Sequence, residues 1–237
     1  MYILYFSILL LVSEVVFVLP YFILRLFGLK KAALEFMKHA STAMGRMVII
    51  GTGTKVEVFG KENLPENRQR TCLVANHQGL FDIPLIAGYL PVSAGFIAKQ
   101  ELAWIPFLNF WLFAVGCVLI NRKSPHSAVK AIRNGVERIK GGQPICIFPE
   151  GTRSRSVKMG RFKPGSLKLA LRSDATIIPV TIRNSFKMYE GSGYLQASQV
   201  FLHVHPPIET KQLNEEMQKS LAQRLQSIIA EPLAADQ

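Results

Sequence analysis

Apolar positions along this chain fall into three regimes. From Met1 to Leu24 they are nearly continuous, broken by a single charge, Glu14, and by Pro20. From Lys31 to Met47 they narrow to a stripe, with Ala33, Phe36, Met37, Ala40, Met44 and Met47 on one helical face and Lys31, Glu35, Lys38, Thr42 and Arg46 on the other. Beyond Gly53 they break into short runs bounded by turn residues: Val56 to Phe59, Thr71 to Ala75, Gly95 to Ala98, Cys117 to Ile120, Pro144 to Phe148, Thr176 to Ile182 and Val200 to Val204. Such runs predict strands buried on both faces.

Helical patterns lie between several of the runs. Ser124 is an N-cap, Pro125 opens the helix, Val129, Ile132, Val136 and Ile139 make its stripe, and Gly141-Gly142 ends it. A closing helix is predicted from Leu213, Met217, Leu221, Leu225 and Ile228. Strands alternating with helices give an α/β class, a mostly parallel or mixed sheet flanked by helices. The division expected is residues 1–50, N-terminal helices that anchor in a membrane, and residues 51–237, one folded body.

The first segment is expected to be retained, because no basic stretch precedes its apolar run and no small-residue cleavage site follows it. Arg25, Lys30 and Lys31 come directly after it. Two geometries fit: one crossing with the body on the cytoplasmic side, or a helix that dips into one leaflet and leaves by the same face. The stripe from Lys31 to Met47 fits either a face packed on the body or an interfacial anchor.

Composition sharpens this picture. Apolar residues make up 49% of the chain, and 28 Lys and Arg against 16 Asp and Glu give a formal charge of +12. That charge favours polyanionic partners, and from Gly151 to Lys187 the only acid among many basic residues is Asp174. Only Phe162 and Phe186 stand among those basic residues, too few aromatics for a base-stacking surface, so no nucleic-acid partner is expected. Cys72, Cys117 and Cys146 each fall within a strand run with no Cys-x-x-Cys pair, and read as packed, reduced thiols. His203-x-His205 lacks the spacing of a metal site and reads as the end of an edge strand.

Two loops carry candidate chemistry. The strand Thr71 to Ala75 runs into Asn76-His77-Gln78-Gly79-Leu80-Phe81-Asp82, with Pro84 suited to the first turn of a helix. A carboxylate on one imidazole nitrogen fixes the tautomer that leaves the other nitrogen free to accept a proton, so His77 and Asp82 can form a general base. A His five residues before an Asp is an ordinary loop when taken alone. The second loop changes its meaning. Pro144 to Phe148 leads into Pro149-Glu150-Gly151-Thr152-Arg153-Ser154-Arg155, where a glycine beside hydroxyls and guanidinium groups has the makings of a phosphate site. Both loops follow buried strands, the position where sites gather in α/β folds.

The ordered set Asn76-His77-x-x-x-x-Asp82, Gly116-Cys-Val-Leu-Ile-Asn-Arg122, Phe148-Pro-Glu-Gly-Thr-Arg-Ser154 and Ile178-Pro179-Val180 resembles the glycerophospholipid acyltransferase family, most closely its bacterial 1-acylglycerol-3-phosphate branch. The resemblance implies that residues 51–237 are an acyltransferase domain moving an acyl group from a thioester, acyl-CoA or acyl carrier protein, to the sn-2 hydroxyl of lysophosphatidic acid. It implies His77 as base and Asp82 as its partner. Glu150, Gly151, Thr152, Arg153, Arg122 and Lys99 would meet the acceptor phosphate, and Pro179 would shape the acyl-donor site. Lys99 reads equally as a solvated strand-end lysine. No cofactor or metal is implied, and the location implied is the cytoplasmic face of the cell membrane.

The chain departs from the family pattern twice: Gly79 stands where the family usually has Ser, and Ser156-Val157 follow Arg155 where Ser-Arg is usually followed by x-Gly. Neither a Gly-x-Ser-x-Gly elbow nor an activated cysteine is found, so the expected reaction needs no acyl-enzyme. The alternatives are another lysophospholipid acceptor, or a non-catalytic membrane-binding protein on the same scaffold. The aromatic run from Trp104 to Phe113 reads as the lining of an acyl tunnel, a surface at the interface, or core packing.

Overall fold

The computed structural model describes residues 2–121 and 123–236. The apolar N-terminus forms α1 (Tyr2–Ser13), a π-helical turn over Glu14–Val18, and α2 (Leu19–Leu26). The wider turn lies just ahead of Pro20, whose missing N–H and bulky ring cannot continue an unbroken α-helix. Leu4–Leu26 is long and apolar enough to cross a membrane. The next helix, α3 (Lys30–Ile50), buries Ala33, Met37, Ala40, Ser41, Gly45 and Ile49. Its stripe is therefore a packed face.

The body holds strands β1 (Lys55–Phe59), β2 (Thr71–Ala75), β3 (Gly95–Lys99), β4 (Val118–Ile120), β5 (Ile145–Ile147), β6 (Thr176–Arg183), β7 (Gln199–Val204) and β8 (Ile208–Glu209). They form one sheet in the order β1-β7-β6-β2-β5-β3-β4, with β8 beside β6. The pairs are parallel except where β6 meets β7 and β8. The sheet is thus mixed. Because β7 lies between β1 and β6, the His203-x-His205 strand is an inner one, which corrects the edge reading. Its alternating exposed and buried side chains resemble an edge because one sheet face is thinly covered there.

Helices α4 (Asp82–Tyr89), α5 (Leu108–Ala114), α6 (Pro125–Lys140), α7 (Pro164–Arg172) and α8 (Glu215–Ala230) complete the fold. Alternation along β2 divides the core. Leu73 and Ala75 face a layer with Leu85, Ile86 and Ile49, whereas Cys72 and Val74 face a layer with Ile139, Leu167 and Leu225. Burial pushes the Cys72 thiol up to about 12, so it is inert at neutral pH.

Two kinds of contact stand out where the N-terminal helices meet the body. Gly45 of α3 crosses Gly88 of α4 with no side chain between them: a Cβ on Gly45 would lie 2.6 Å from Gly88 N and 2.8 Å from Pro84 O. At α5, Trp111 Nε1 donates to Ser13 Oγ at 2.9 Å while Phe22 stacks on Phe113. Part of the aromatic run therefore packs on the N-terminal helices, while Trp104 remains 84% exposed.

Candidate functional site

His77 leaves the end of β2 and Asp82 opens α4, so strand and helix set both ends of the loop between them. His77 Nδ1 lies 2.6 Å from Asp82 Oδ2, which also accepts the backbone N–H of Gln78 at 2.7 Å and of Gly79 at 2.9 Å. Asp82 is fully buried, and its Oδ1 accepts the Ser185 hydroxyl at 2.5 Å. A buried carboxylate surrounded by donors is an acceptor. Nδ1 of His77 therefore carries the hydrogen, and Nε2 keeps the lone pair that can receive a proton.

The second loop is bolted to the first. Ser154 N–H donates to His77 O at 2.8 Å and Arg155 N–H to Gln78 O at 3.1 Å. The Phe148 ring stacks on the His77 imidazole with centroids 4.1 Å apart. Glu150 differs from its expected place at the phosphate: its Oε1 accepts His77 N–H and its Oε2 accepts Gly160 N–H, each at 2.7 Å, and the residue is buried. Its oxygens are spent on backbone amides, so it braces the loop that carries His77. Burial pushes its carboxyl above the usual range, and those two hydrogen bonds oppose the shift. Gly151 sits at φ +74°, a left-handed backbone conformation that favours glycine.

The family model described as "Acyltransferase" matches residues 55–183, spanning both loops. The chain belongs to the acyltransferase family. The 1-acyl-sn-glycerol-3-phosphate acyltransferase of Borreliella burgdorferi is 34% identical over 183 residues, which is 76% of this chain and 72% of that one. The enzyme of the same name from Salmonella typhimurium is 29% identical, covering 83% of this chain and 81% of that one. A chloroplastic relative from Arabidopsis thaliana is 33% identical over 65% of this chain, and this chain spans 44% of its length. The crystal structure of the 1-acyl-sn-glycerophosphate (LPA) acyltransferase PlsC from Thermotoga maritima superposes with a TM-score of 0.77 at 26% identity, covering 95% of this chain and 96% of that one.

A third segment closes on the two loops, and motif reading missed it. After β6 the chain turns through Asn184 to Gly191 and delivers Ser185 to Asp82 and Glu190 to Arg153, whose Nη1 is 2.8 Å from Glu190 Oε1. The signal that could have found it was Gly79. A Cβ at that position would lie 2.7 Å from Glu190 Oε2, so this carboxylate occupies the space that the family's usual side chain would take.

Of the other expected residues, Thr152 is exposed beside Arg153, and Arg122 lies outside the described residues. Lys99 ends β3 with its ammonium 3.2 Å from Glu101, half-exposed, and belongs to neither loop. Pro179 is buried inside β6 opposite Val74, where the far-side partner of β6 changes from β8 to β7. That gap in the ladder tolerates a residue without an N–H, so Pro179 sits in the sheet without breaking it. A cavity of about 440 Å³ lies between α6 and α7. Ile97, Ile120, Ile132 and Leu169 line it, Phe148 and Gly151 border it, and Lys163 and Arg172 are among its charged residues.

Proposed function

We propose that this protein is a 1-acylglycerol-3-phosphate O-acyltransferase. It transfers an acyl group from an acyl thioester, acyl-CoA or acyl carrier protein, to the sn-2 hydroxyl of lysophosphatidic acid, giving phosphatidic acid. The observation that carries the reading is the His77–Asp82 pair, whose carboxylate is saturated with donors and fixes the imidazole tautomer.

His77 Nε2 takes the hydroxyl proton as that oxygen attacks the thioester carbonyl. The tetrahedral intermediate collapses, the carbon–sulfur bond breaks, and the leaving sulfur takes the proton back from the imidazolium. No covalent enzyme intermediate forms. Base catalysis supplies about 10²- to 10⁴-fold, and alignment of the two substrates adds to it.

Arg153 grips the acceptor phosphate, with the amides and hydroxyls of residues 151–154 beside it. The apolar cavity bordered by Phe148 suits the acyl chain, because that ring also stacks on His77. Its size falls within the roughly 300–1,000 Å³ typical of small-molecule sites. Residues 1–50 anchor the catalytic domain, residues 51–237, at the cytoplasmic face of the membrane. A long acyl chain loses about 0.8 kcal/mol per methylene on leaving lipid for water, so a membrane-seated site spares that cost.

The test is thiol release from acyl-CoA by detergent-purified protein, with lysophosphatidate, glycerol 3-phosphate, lysophosphatidylcholine or no acceptor, and a parallel arm with acyl carrier protein. Release that requires lysophosphatidate and His77 supports the reading. Release with lysophosphatidylcholine alone would reassign the acceptor, and none with any pair would overturn the proposal.

A further inference from the structure

Glu190 stands outside every motif in the chain, yet its carboxylate is enclosed beside the loop read as the phosphate grip. Its side chain is 5% exposed, against 34% for its partner Arg153. Two donors from different loops converge on one oxygen: Leu80 N–H and Arg153 Nη1 each reach Oε1 at 2.8 Å. The other oxygen, Oε2, is buried with no hydrogen-bond partner among the described residues, and the missing side chain of Gly79 makes its room. A carboxylate is costly to bury, so this placement stands out.

We infer that Glu190 is a positioning residue for the acceptor, acting through Arg153; the inference rests on the reading of Arg153 as the phosphate grip. A partly exposed arginine alone samples many rotamers, and ordering it on binding costs affinity. Pinning Nη1 removes that freedom and still leaves four of the five guanidinium N–H groups for phosphate oxygens. Because the same carboxylate oxygen holds Leu80 N–H, the grip is locked to the loop that carries His77. In the acceptor, the reacting hydroxyl and the phosphate-bearing oxygen sit on neighbouring carbons. A substrate with so short a span needs base and grip at a constant separation, and Glu190 supplies it.

The experiment measures kcat and KM for lysophosphatidate in Glu190→Ala, Glu190→Gln, Arg153→Ala and the Glu190→Ala/Arg153→Ala double variant, all full-length in detergent. Glu190→Ala should raise KM roughly tenfold, about one broken charged contact, with kcat within about threefold. Glu190→Gln keeps an acceptor oxygen for both donors and should stay within about threefold of the original KM. In the Arg153→Ala background, removing Glu190 should add nothing. An equal rise in KM in that background, or a fall in kcat with KM unchanged, overturns the inference. Arg153→Ala with an unaltered KM would instead overturn the phosphate reading beneath it. Glu190→Asp, which keeps the charge but withdraws it by one methylene, is run beside the others in case the alanine protein does not fold. It should move KM in the same direction by a smaller factor, and an unchanged KM would count against the inference.

Discussion

The Ser185 hydroxyl donates to Oδ1 of Asp82, joining residues separated by 103 positions in the chain. Among the described residues it is the one donor that reaches this oxygen; the imidazole and two backbone amides all meet Oδ2. Ser185→Ala would leave a fully buried carboxylate oxygen without that partner. The expected cost is about 1–3 kcal/mol of stability, with a several-fold fall in kcat, as a loosened carboxylate orients the ring less well. Denaturant unfolding and turnover check both, and a variant unchanged in each would show that Oδ1 needs no donor.

His77→Ala is expected to lower kcat by about 10²- to 10⁴-fold while leaving acceptor KM nearly unchanged, since base catalysis acts on the transition state. Asp82→Asn should fold, because its amide can donate to the Ser185 oxygen while its carbonyl takes the Oδ2 donors. Its kcat should still fall, since no negative charge remains to stabilise the imidazolium. Steady-state kinetics on both proteins tests this, and activity near the original level in Asp82→Asn would contradict it.

Gly45 leaves no space for a methyl group. Its neighbours there are backbone atoms of α4, which cannot swing aside as a flexible side chain would. Gly45→Ala should cost about 1–3 kcal/mol through forced separation of the helices. Because α4 begins at Asp82, kcat should drop as well. A thermal melt in detergent, paired with kinetics, reads both effects.

The His203 and His205 rings are held below their ordinary value of 6.5, in each case chiefly by burial. The Thr181 hydroxyl gives its hydrogen to Ile229 O, so it can only accept from His205 Nε2, which therefore carries a hydrogen. The unfolded chain binds protons as pH falls past about 6.5, before the folded protein does. The stability these rings contribute is therefore complete above that value and lost as pH falls through the lower folded values. Urea unfolding at about pH 7.5 and 5.5 should show it, and His205→Gln, which does not titrate there, should shrink the difference.

The strands were legible because a sheet covered on both faces leaves unbroken apolar runs, as in Thr71 to Ala75. The His77 and Glu150 loops were legible because each follows such a run directly. Ser185 and Glu190 were not: they ride an irregular turn, and nothing local distinguishes them from other polar loop residues. The side-chain direction of Glu150 was hidden for a related reason. A motif shows which residue stands at a position, whereas its hydrogen bonds to His77 and Gly160 depend on how the loops close. The two-residue β8 was too short to produce a pattern, and Pro179 took its meaning from the sheet around it.

The backbone-on-backbone crossing of Gly45 and Gly88 also governs altitude. α3 continues from the apolar helices, and α4 starts with the carboxylate that aims His77. With no compliant side chain between them, the His77 loop cannot rise or sink independently of the apolar helices proposed as the membrane anchor. On the proposed reading such an enzyme would read depth: a hydroxyl would be acylated at the level where the anchor floats, and a change in bilayer thickness or packing that shifts the anchor would carry His77 with it.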